Sequence, residues 1–101
     1  MEFIILTFVV EREGECFVSE CFELGTSSFG TSEEEALDNL LDATGVYLDT
    51  LEDLGEAHQV LDEKGVPIYA YEPASLEVRK AKFPAGSKVR PTVIRLQHAH
   101  V

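Results

Sequence analysis

The chain has 101 residues, of which 45% are hydrophobic and 27% charged, which suits one globular domain and excludes wholesale disorder or a second core of normal size. Its longest nearly uncharged apolar run, residues 3–10, is far short of the roughly 20 residues that a membrane-spanning helix needs. The net charge of −11 is unevenly spread: residues 1–76 hold 18 of the 19 acids with only Arg12 and Lys64 as bases, whereas residues 77–101 hold Glu77 and six bases.

Both alternating sets of Phe3–Val10 are mainly apolar, as in a strand covered on both faces. The polar stretch Glu11–Glu15, with Gly14, predicts a hairpin turn, and Cys16–Phe22 the returning strand. Glu23-Leu24-Gly25 breaks it, and Thr26–Phe29 predicts a short third strand ended by Gly30. From Ser32 to Leu54 the period changes. Apolar residues at 37, 40, 41, 47, 48, 51 and 54, with Thr44, follow one helix face. Ser32 followed by Glu35 predicts a capping box, in which the hydroxyl takes the amide of residue 35 and the carboxylate reaches back to the cap's own N–H. Gly45 in mid-helix costs about 1 kcal/mol relative to Ala, so either close packing or a bend is expected there. Gly55 predicts the helix stop, and Glu56–Lys64 a second short helix closed by Gly65.

Val66–Tyr71 predicts a strand ended by Pro73, Leu76–Phe83 another, and Val89–Leu96 a last one that Pro91 restricts to an edge or a strand start. The fold class is therefore α+β. An antiparallel β-meander is followed by one long amphipathic helix on the sheet, a further strand and a C-terminal basic β-hairpin. Residues 1–75 form the β-β-β-α-β unit; residues 76–101 are a basic extension, either part of the same domain or an oligomerisation arm.

Chemistry is sparse. Several carboxylates converging on divalent ions would mark a nuclease. Here the acids fall on turns and on the helix's outer face (Glu34, Asp38, Asp42, Asp49, Glu52, Asp53), and none lies in residues 3–10. No phosphate loop or nucleophile motif occurs. His58, His98 and His100 have no paired ligands beside them. The expectation is a non-enzymatic protein with no cofactor and no metal. Cys16 and Cys21 lie about 16 Å apart along an extended chain and on opposite faces, too far for a bond that needs Cα atoms within about 7 Å; both are expected free. The start at Met1-Glu2 lacks a basic region, so no signal peptide is expected and the location is cytoplasmic.

Residues 21–54, with Cys21-Phe22-Glu23-Leu24 followed by Gly30, Ser32, Glu34, Glu35, Ala36, Leu37 and Asn39 and by Tyr47-Leu48, resemble the HicB family of antitoxins. The resemblance covers about residues 1–56. It implies a partial RNase H-like domain that binds and neutralises a small basic mRNA-cleaving toxin, HicA, and that assembles as a homodimer or homotetramer. Many family members also carry a ribbon-helix-helix or helix-turn-helix domain; residues 57–101 show neither pattern. The acids expected to hold the partner are Glu11, Glu13, Glu15, Asp38, Asp42 and Asp49. They supply charge rather than chemistry. The basic tail residues Arg79, Lys80, Lys82, Lys88, Arg90 and Arg95 form either a nucleic-acid ribbon or a cationic hairpin docked on the acidic body of its own chain or of another subunit. Docking is favoured, because the field of the whole chain repels phosphate. The rivals to the antitoxin are an orphan oligomeric structural domain and a nucleic-acid binder.

Overall fold

A computed structural model describes residues 1–73, 83 and 85–96. Its elements are β1 (Glu2–Glu13), β2 (Cys16–Cys21), β3 (Ser27–Gly30), α1 (Glu33–Asp53), α2 (Ala57–Glu63) and β4 (Lys88–Leu96). Among the described residues the strands form one antiparallel sheet in the order β3-β2-β1-β4, and both helices add to its core on one face. The α+β class holds. No helix among the described residues is long and apolar enough to cross a membrane.

The first strand is longer than its apolar run predicts. β1 continues through Glu11, Arg12 and Glu13, so the turn shrinks to Gly14-Glu15, with Glu13 paired to Cys16. Gly14 has φ 64°, which fits the glycine-first two-residue hairpin. Alternation then divides the sheet. Ile4, Leu6, Phe8 and Val10 are buried, and the first three join Cys21, Leu24, Leu40, Leu48, Leu61, Val66 and Leu96 in the core. The odd-numbered residues Phe3, Ile5 and Val9 look the other way and are half-buried.

The start of α1 follows the capping pattern with one difference. Ser32 Oγ accepts from the Glu35 amide at 3.1 Å, but the Glu35 carboxylate reaches Thr31 N–H at 3.0 Å rather than that of Ser32. Gly30 explains how closely the helix can approach: a Cβ there would stand 2.6 Å from the Ala36 nitrogen. The buried side of α1 is Ala36, Leu40, Thr44, Leu48, Leu51 and Glu52, while Leu41 and Leu54 are exposed and Leu37 and Tyr47 half-buried. The helix face is thus rotated from the predicted one, and Glu52, expected outside, is only 4% exposed. Gly45 sits in an unbroken helix, and a Cβ there would meet nothing within 4 Å. Of the two expectations for Gly45, close packing is not found among the described residues.

Both helices end by the same device. Gly55 N–H bonds Glu52 O and Glu56 N–H bonds Leu51 O; Gly65 N–H bonds Asp62 O and Val66 N–H bonds Leu61 O. These are Schellman stops, with glycines at φ 71° and 70°. At the second, Val66 and Leu61 are both buried, the apolar contact that accompanies the motif.

The predicted strand Val66–Tyr71 is a correction. It reduces to one bridge, in which Phe3 and Tyr69 exchange N–H···O bonds of 2.8 Å. Val66 is already used in closing α2, and Pro67 has no N–H to offer, so the segment cannot form a ladder. Of the predicted strand Leu76–Phe83, only Phe83 lies within the described residues, and the predicted hairpin pairing lies outside them. Its second half is β4, which pairs with β1 from Glu2↔Leu96 to Val10↔Lys88.

Pro91 is placed where it costs nothing. It stands opposite Thr7, whose N–H goes to Glu23 and whose C=O accepts from Phe22 N–H. Thr7 and Pro91 are therefore a pair that exchanges no backbone bonds, and the missing N–H points away from β1.

Candidate functional site

The sheet face opposite the helices carries an open concavity. Register places Val9, Val18, Phe22 and Phe29 on this face of three neighbouring strands and of the chain just beyond β2, with Val18 opposite Phe29 and Val9 opposite Glu20. An open trough of about 770 Å³ lies over them, within the usual range of ligand-sized clefts. Phe29 is 68% exposed and Phe22 42%. Phe83 stands edge-on to Phe22 with ring centroids 5.4 Å apart and closes that end. Val18 and Phe22 are four residues apart on one chain, roughly 13 Å at strand rise, and Glu20 lies between them on the same face.

The described charges on this trough are of one sign. Among the described residues its lining includes the carboxylates of Glu11, Glu13 and Glu20 and no Lys or Arg. Glu11 accepts from the Ser87 hydroxyl at 3.3 Å; Glu13 and Glu20 are exposed. Cys16 is exposed beside Glu13, and Cys21 is buried in the core; both are free thiols. Burial, with the Glu23 carboxylate adding to it, pushes the Cys21 thiol from 9.0 up to about 11, so it is no nucleophile near neutrality.

The predicted partner-binding acids are thereby divided among different surfaces. Glu11 and Glu13 line the trough, and Glu15 is exposed in the adjoining turn. Asp38 lies beside the start of α1, in a shallow cleft with Glu33, Glu34 and Arg90. Asp42 is exposed on α1, and Asp49 borders a groove between α1 and β4. Glu20 was not singled out by sequence reasoning. The signal available was its place between Val18 and Phe22 in the alternation of β2.

The tail bases are divided too. Arg79, Lys80 and Lys82 lie outside the described residues. Lys88 and Arg90 stand opposite Val10 and Phe8 on the helix side, whereas Arg95 stands opposite Phe3 on the other. Lys88 Nζ meets Glu33 Oε2 at 2.9 Å, an exposed pair worth about 0–1 kcal/mol. This contact is of the kind expected of a basic strand docked on its own acidic body.

The residues carrying the HicB resemblance have roles inside the fold. Glu23 is buried; its Oε1 accepts from Thr7 N–H at 2.8 Å and its Oε2 from the Thr7 hydroxyl at 2.9 Å. It takes the place a further strand residue would hold beside β1. Ser19 Oγ bonds Ala36 O at 2.7 Å, and Asn39 Nδ2 bonds Phe29 O at 2.9 Å, fastening α1 to β2 and β3. No group of three or more metal-binding side chains occurs among the described residues. Comparison with family models, with curated proteins and with solved structures gave no match to the chain.

Proposed function

We propose that this chain is a HicB-like antitoxin of a type II toxin–antitoxin system. It is a non-enzymatic cytoplasmic protein with a partial RNase H-like fold that holds a small basic mRNA-cleaving toxin. The observation that carries this reading is the placement of charge: 18 of 19 acids fall in residues 1–76, and an open trough on the sheet is lined, among the described residues, by the carboxylates of Glu11, Glu13 and Glu20. Such a surface attracts the Lys- and Arg-rich face with which a ribonuclease meets RNA, and covering that face blocks the substrate. The resemblance block adds support for the fold alone, because its side chains are spent on packing and caps.

Assembly into a homodimer or homotetramer belongs to the same reading. The backbone groups of Val89 and Val93 alternate away from β1, and among the described residues no strand pairs with them, so that side of β4 could take a further strand. A mass near 11.2 kDa by light scattering at micromolar concentration would refute assembly.

The test of function is co-expression with the small basic protein encoded beside this chain. Co-purification, and association that slows as salt rises, are the expected results. Failure to bind any such protein overturns the antitoxin. Tight, sequence-selective DNA binding at about 0.15 M salt that is lost on removing residues 77–101 would transfer the function to the tail.

A further inference from the structure

We draw no further inference here: the strongest candidate, the open trough over Val9, Val18, Phe22 and Phe29 on the sheet face away from the helices, carries nothing further, because nothing among the described residues shows what covers it.

Discussion

Glu23 shows how one side chain can finish a sheet. β2 ends at Cys21, and β1 still has backbone to satisfy on that side. The carboxylate supplies the acceptor for Thr7 N–H and takes the Thr7 hydroxyl as well. Glu23→Ala leaves a buried amide and a buried hydroxyl unpaired and should cost about 1–3 kcal/mol or more, read as a lower denaturant midpoint at unchanged slope. Substituting the nearby exposed Glu20 by Ala should stay within about 0.5 kcal/mol. A Glu23→Ala midpoint equal to that of Glu20→Ala would show that the contact contributes nothing.

Cys21 adds a pH dependence at the same scale. Burial raises its folded pKa above the ordinary 9.0, to about 11. The folded state therefore holds the thiol proton more tightly than the unfolded chain. The stabilisation is complete below pH 9.0 and is lost as pH rises towards about 11, at a slope of up to about 1.4 kcal/mol per pH unit. Urea midpoints of the wild type should fall more steeply across that window than those of Cys21→Ala. Parallel profiles would show that other groups set the alkaline limit.

At the scale of elements, two glycines in one motif have opposite meanings. Gly30 lets the first turn of α1 rest on the sheet, and any Cβ would press on backbone 2.6 Å away. Gly45 meets nothing within 4 Å and lies in continuous helix. Gly30→Ala should destabilise by about 1–3 kcal/mol through overpacking, whereas Gly45→Ala should stabilise by about 0.4–1 kcal/mol. Thermal midpoints moving the same way for both would contradict this structure of the helix start or of its middle. Periodicity made the helix legible, and Ser32, Gly55 and Gly65 made its ends legible, because caps are local. The face it buries was read less well. Thr44 bonds the Thr26 hydroxyl at 2.8 Å and is fully buried, while the more apolar Leu41 is left outside, since the sheet decides which stripe meets it.

For the whole molecule, the decisive contact joins the ends of the chain. β4 lies beside β1 along nine residues and adds Leu96, 5% exposed, to the core. Such non-local pairing must overcome a large loop-closure entropy. Removing residues 76–101 strips one side of β1 and opens the core at Ile4, so the truncated chain should lose cooperative unfolding and near-ultraviolet circular dichroism. A truncated chain with a sigmoidal urea transition and the wild-type slope would show that residues 1–75 fold alone.

By itself the sequence determined the elements whose causes lie within a few residues: the hairpin at Gly14, the cap at Ser32, the helix period and both glycine stops. It also determined the charge split, which needs no fold to be counted. The tertiary structure decided what depends on partners distant in sequence. It shortened Val66–Tyr71 to one bridge, because Phe3 offers Tyr69 a single pairing position. It buried Glu23 and Glu52 among residues that no local pattern brings near them. It divided the predicted acids between a trough and the outer helix, and placed Glu20 on the face that Val18 and Phe29 share. The reason is register: side chains alternate with a period of two along a strand, so only the pairing of strands decides which carboxylates and which aromatic rings share a face.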